Sequence, residues 1–148
     1  MNSVRSYASV ALLNGEVYVF GGGDGRTWYN TENFDCRMRY WEQIASRNSK
    51  RTCYSLVVLN GKLYALGAYD GSTMVSSIEI YNSRIDSWMR ADPMKQTRGY
   101  SAAAVLKESI YVVAGVAAGD KVECYKEGRG WEVIDVMGKR SFMSAFTL

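Results

Sequence analysis

The sequence predicts an all-β protein, an incomplete arc of about three four-stranded antiparallel sheets. Three features of the 148-residue chain predict it. An arginine-led segment recurs at Arg5, Arg51, Arg98 and Arg140, at spacings of 46, 47 and 42 residues. After each of the first three come two short apolar runs, split in two copies by Asn-Gly. Asn-Gly is the strongest short hairpin signal, because a type I′ turn needs positive φ at both central residues. Each unit then closes with an aromatic residue and, six or seven positions later, a tryptophan. Self-similarity on this scale is the signature of a repeat architecture.

The elements follow in a fixed order. The first run is Val10-Ala11-Leu12-Leu13, Leu56-Val57-Val58-Leu59 and Ala103-Ala104-Val105-Leu106. Asn14-Gly15 and Asn60-Gly61 turn the chain, and Lys107-Glu108 replaces them in the third copy. The second run carries a tyrosine in register, at Tyr18, Tyr64 and Tyr111, and ends on Gly21-Gly22, Gly67-Ala68 and Ala114-Gly115. Two copies continue into Asp24-Gly25 and Asp70-Gly71 loops, and the closing pairs are Phe34/Trp41, Tyr81/Trp88 and Tyr125/Trp131. In the second unit strands are expected at 53–59, 62–67, 77–81 and 87–90, with no capped helical periodicity anywhere. Four-stranded sheets repeating at about 45 residues read as β-propeller blades. Small residues in the first strand suit a crowded axis, and tryptophan on the last strand fills space where blades splay apart. The expected units are 5–47, 48–95 and 96–138, with the first strand of a fourth at 139–148.

Closed propellers need roughly four to eight blades, so the expectation is an open arc. Its end faces would be bare and apolar, with Tyr7, Val10, Phe142 and Phe146 exposed. Such faces imply remaining blades, self-association or a partner. A truncated gene product or excised fragment is preferred to a twofold pair giving six blades.

Composition narrows the chemistry. With no histidine, His-based triads and His-ligated metal sites are excluded. The net charge of +3 is small and scattered, and the basic clusters at Lys50-Arg51, Lys139-Arg140, Arg37 and Arg39 form no assured continuous face, so nucleic acid is not expected. No apolar run has the length of a membrane span, and no signal-peptide pattern opens the chain. Cys36, Cys53 and Cys124 lack CxxC spacing and read as buried thiols, so no metal or cofactor is expected. A reducing interior, cytosol or nucleus, fits best.

The arginine-led strand, Asn-Gly, tyrosine-bearing strand, glycine doublet and closing Tyr and Trp together resemble the kelch repeat, from Arg5 to Leu148. The Gly-Gly-Gly-Asp-Gly and Leu-Asn-Gly-Lys-Leu-Tyr wording looks most like plant cytosolic kelch proteins, including those joined to a development-and-cell-death domain. The resemblance implies a kelch-type β-propeller, of five to seven blades when whole. Only the first unit keeps both glycines. Positive φ at the second would put strain of about 1 kcal/mol on Ala68. The third unit also loses its Asp-Gly loop and reads as a degenerate or divergent blade.

The resemblance also implies roles. In kelch proteins that bind acidic peptides, arginines at this position face the ligand, and guanidinium suits carboxylates through bidentate bonds. Arg5, Arg51, Arg98 and Arg140 are therefore candidates for an acidic or phosphorylated partner segment. The competing reading pairs each with a neighbouring blade's acid or carbonyl. The rim loop carrying Asp24, Arg26, Trp28 and Tyr29, with Asp70 in its second copy, is the other candidate contact, against a reading in which Trp28 packs on the blade edge. Glu79 and Glu123 are expected in structural pairs. Tyr18, Tyr64, Tyr111, Trp41, Trp88 and Trp131 are expected in the core, with Met89, Met94, Met137 and Met143 filling gaps. The function expected is a non-catalytic protein-interaction module, a ubiquitin-ligase substrate adaptor when joined to a BTB or F-box domain. The alternatives are an iron-dependent specifier-like kelch enzyme, for which no rim loop offers Glu-x-x-x-Asp, and a non-functional fragment. Copper oxidase chemistry of the galactose oxidase kind needs histidine ligands that the chain lacks.

Overall fold

Alternating apolar residues between turn signals fold as the strands they predict. A computed structural model describes residues 1–2, 4–24, 31–45, 51–118 and 121–136. Arg26, Trp28, Tyr29, Arg140, Phe142, Phe146, Met137 and Met143 lie outside the described residues.

Among the described residues, twelve strands form three antiparallel sheets. Blade one holds β1 (Ser9–Leu13), β2 (Glu16–Phe20), β3 (Glu32–Asp35) and β4 (Tyr40–Gln43). Blade two holds β5 (Ser55–Leu59), β6 (Lys62–Tyr69), β7 (Met74–Asn82) and β8 (Ser87–Ala91). Blade three holds β9 (Ala102–Leu106), β10 (Ser109–Val113), β11 (Lys121–Lys126) and β12 (Gly130–Val136). Sheet order follows chain order in each, so every blade is a meander. The third unit, divergent in sequence, is a full blade in structure.

Its first turn shows how. Asn14 and Gly15 sit at φ 53° and 81°, and Asn60 and Gly61 at 50° and 68°. Lys107 and Glu108 take the same left-handed pair, 47° and 59°. Tertiary context imposes the turn on residues that disfavour it, so Glu108→Gly is expected to raise stability by about 1 kcal/mol, read as a higher urea midpoint at unchanged slope.

The first strands β1, β5 and β9 stand side by side, and small side chains permit it. Ser9 Oγ donates to the Tyr54 carbonyl at 2.7 Å and Ser55 Oγ to the Ser101 carbonyl at 2.7 Å, stitching each blade to the next.

Register fixes two faces per blade. The leading face carries the second-strand tyrosine, and the trailing face carries the closing aromatic pair, as in Leu63↔Tyr81↔Trp88. Between blades one and two, Leu13, Tyr18 and Phe20 pack with Leu63, Tyr81 and Trp88. Between blades two and three, Leu59 and Tyr64 pack with Ile110, Tyr125 and Trp131. Trp88 Nε1 also donates to the Ala45 carbonyl at 2.9 Å.

Several expected core residues sit elsewhere. Tyr111 and Trp41 are half-buried, each on a terminal face with no described blade against it, and Trp88 is half-buried at the edge of the core between blades one and two. Met94 is buried, but Met89 is exposed on β8. Cys53 and Cys124 are buried, whereas Cys36 is exposed, because it falls in the hairpin turn between β3 and β4.

Candidate functional site

The segment leading into each first strand is pinned to the end of the second strand by a bridge: Ser6 to Gly23, Thr52 to Tyr69 and Gly99 to Val116. The paired N–H···O bonds of these bridges measure 2.8–3.3 Å. Arginine precedes the bridge in every blade, and the side chains of Arg5 and Arg98 reach the carbonyls at the end of the second strand.

Arg98 is fully buried, and its Nη2 meets Glu123 Oε1 at 2.7 Å. Its Nη1 donates to the carbonyl oxygens of Ala114 at 2.9 Å and Lys121 at 3.2 Å. Burial draws the guanidinium below its ordinary value and the Glu123 charge opposes that shift. Glu123 in turn accepts the N–H groups of Lys95 at 2.6 Å and Gln96 at 3.1 Å. Blade one repeats the device. Arg5 pairs with Glu32 at 2.9 Å and donates to the Gly21 carbonyl at 2.8 Å, while Glu32 accepts the Asn2 N–H at 3.3 Å. In blade two, Arg51 is half-buried and donates to the Ser77 hydroxyl, with Glu79 buried at the equivalent place.

The partner acids of Arg5 and Arg98 belong to their own blades, whereas sequence reasoning expected a neighbouring blade. Glu32 was not singled out, although Glu-x-aromatic recurs at Glu32, Glu79 and Glu123 and signals it.

The glycine doublet completes this arrangement. Gly21 and Gly67 take φ 58° and 64°, and the next blade's arginine carbonyl lies against each. A Cβ on Gly21 would sit 2.6 Å from the Arg51 carbonyl oxygen. Ala68 does take positive φ, at 142°, as does Ala114 at 54°.

Immediately after each bridge the chain turns through a left-handed residue: Tyr7 at φ 57°, Cys53 at 61° and Tyr100 at 53°. A non-glycine residue in this region costs roughly 1–2 kcal/mol, and such outliers gather where function needs a fixed side chain. The three line a pocket of about 270 Å³ at the start of the first strands, together with Ala8, Ser9, Tyr54 and Ser101. Tyr7 is 66% exposed and meets Tyr100 edge to face, with ring centroids 6.1 Å apart. A hydrogen bond with Cys53, followed by burial, pushes the Tyr100 hydroxyl up to about 12. Tyr7, expected on an end face, therefore lines this mouth instead. The sequence signal was the third position of Arg-Ser-Tyr, Arg-Thr-Cys and Arg-Gly-Tyr.

The rim aspartates are at the same end of the blades. Asp24 is exposed next to the Gly23 bridge. Asp70 is exposed and accepts the N–H groups of Ser72 and Thr73, both at 2.9 Å, which hold its carboxyl below the usual range. Among the described residues no three His, Cys, Asp or Glu side chains form a metal-sized cluster, and no helix is long and apolar enough to cross a membrane.

A family profile described as the kelch motif matches residues 5–48 and 50–95. A search of curated proteins returned no match. Two kelch motifs over more than half of the chain, each folded as a four-stranded meander and followed by a third blade of the same form, place the chain in the kelch-repeat family, as a three-blade arc of a kelch β-propeller.

Proposed function

We propose that the chain is a non-catalytic recognition module whose contact face is the mouth formed by Tyr7, Cys53 and Tyr100. Kelch repeats are in general protein-interaction modules, and the observation that carries this reading is the set of left-handed residues presenting two tyrosine rings over one pocket. Tyrosine gives a rigid, amphipathic contact and is enriched at interface hot spots. The favoured partner segment seats an apolar or aromatic side chain in the pocket beside the rings.

Capture of an acidic segment is less favoured, since Arg5 and Arg98 already serve buried carboxylates and carbonyls. Of the repeated arginines, Arg51 is half-buried, donates to the Ser77 hydroxyl and lies close enough to the Asp70 carboxyl to help hold it below the usual range. Joined to a BTB or F-box domain, the same face would present a substrate to a ubiquitin ligase.

The test compares proteins retained from native extract by the wild-type chain, Tyr7→Ala and Tyr100→Ala. For a retained partner, each ring's loss is expected to weaken binding by about 2 kcal/mol, roughly thirtyfold. Tyr7→Ala should keep the wild-type urea midpoint, because the ring is largely in solvent. A partner held equally well by both variants would place the contact face elsewhere.

A further inference from the structure

The linker leaving each outer strand meets the closing tryptophan of the next blade, and the two described meetings differ. At the first, Asp86 of blade two holds the linker. Its Oδ1 accepts the Ala45 N–H at 3.0 Å and the Tyr81 hydroxyl at 2.7 Å. Trp88 Nε1 donates to the Ala45 carbonyl at 2.9 Å. A carboxylate of the chain itself thus joins linker to blade.

At the second meeting, between blades two and three, that carboxylate is replaced by a cation. Asp86 stands two residues before Trp88, and Arg129 stands two before Trp131. Ala45 follows Trp41 by four residues, and Asp92 follows Trp88 by four. A cavity of about 540 Å³ lies here, lined by Asp92–Lys95 of the linker and Arg129–Trp131 of blade three. Trp131 is only 6% exposed, yet among the described residues its indole N–H has no acceptor. Lys95 and Arg129 are exposed at the rim, and among the described residues neither forms an ion pair with Asp92.

We propose that this groove binds an acidic side chain of a partner segment, whose carboxylate takes the part Asp86 plays at the first meeting. Indole, ammonium and guanidinium are donors without acceptor capacity, and the charged donors bind carboxylates most strongly. The two cations outweigh the single Asp92 carboxylate. Pro93 and the Trp131 ring give an apolar wall for a neighbouring residue of the segment, which favours a peptide over a free anion. The groove shares no residue with the mouth of Tyr7, Cys53 and Tyr100 and uses none of the repeated arginines, so it is a second contact beyond the one proposed above.

Proton–nitrogen correlation NMR on the whole chain tests it, with the blocked tetrapeptide Gly-Glu-Leu-Gly as probe and Gly-Gln-Leu-Gly as neutral control. The Glu peptide is expected to move the Trp131 indole signal saturably, and the Gln peptide to bind about tenfold more weakly. Lys95→Gln should weaken the Glu peptide by about fivefold. Arg129→Asp, which restores the residue type of blade two, should abolish its binding. Both side chains are exposed, so urea midpoints should match the wild type. No shift of the Trp131 signal, equal response to the two peptides, or unchanged affinity in Arg129→Asp would each overturn the proposal. Acetate or inorganic phosphate binding as tightly as the Glu peptide would overturn the segment as occupant and leave a site for a free anion.

Discussion

Arg98→Ala is expected to lower unfolding free energy by about 3–5 kcal/mol, because it leaves Glu123 as an uncompensated buried charge. The contact is fully buried on both sides, so solvent screening does not soften the loss. Three backbone carbonyls also lose a donor, those of Val112, Ala114 and Lys121. A domain of this kind holds only about 5–15 kcal/mol in total, so the variant should unfold at a much lower urea concentration. Adding Glu123→Gln should return part of the loss, since a neutral amide can still accept the Lys95 or Gln96 N–H. An Arg98→Ala protein with the wild-type midpoint but no partner binding would contradict the structural role and restore the ligand-facing reading.

Gly67→Ala is the second large effect. The residue sits at φ 64°, and a Cβ there would overlap the Arg98 carbonyl oxygen of the next blade. That carbonyl also accepts the Ala68 N–H at 3.0 Å, so it has little freedom to retreat. Left-handed backbone and steric overlap together should cost about 3 kcal/mol. Gly61→Ala is the control, with φ 68° and nothing within 4 Å of the added Cβ, and should cost about 1 kcal/mol. Equal losses in the two variants would show that conformation alone, without the blade contact, sets the glycine requirement.

The blades were legible because their signals are local. Alternation of apolar residues, Asn-Gly turns and closing aromatics act over a few positions, and β5 to β8 lie close to the strands they predicted. The third blade was harder to read, since Lys107-Glu108 and Ala114-Gly115 replace the turn and doublet residues. Its strands still form because pairing and packing against blade two impose the left-handed turn.

The candidate site was only half legible. The repeated arginine marked the right segment of each blade, but repetition alone does not say which way a side chain points. That direction depends on Glu32 and Glu123, 27 and 25 residues further on, and on strand pairing that brings them beneath the lead-in segment. Tyr7 was read as an end-face residue, Cys53 as a buried thiol, and Tyr100 was not singled out, because the shared third position of the arginine-led segment does not by itself reveal a left-handed backbone as Asn-Gly does.

The sequence by itself determined the strand pattern, the repeat and, through the absent histidine, the exclusion of His-based chemistry. Tertiary structure decided which repeated residues are buried and which are exposed. It turned two arginines into buried ion pairs and raised Tyr7 and Tyr100 over a shared pocket. The physical reason is range: turns and alternation are set between neighbours in the chain, whereas burial and charge pairing are set between blades and across strands.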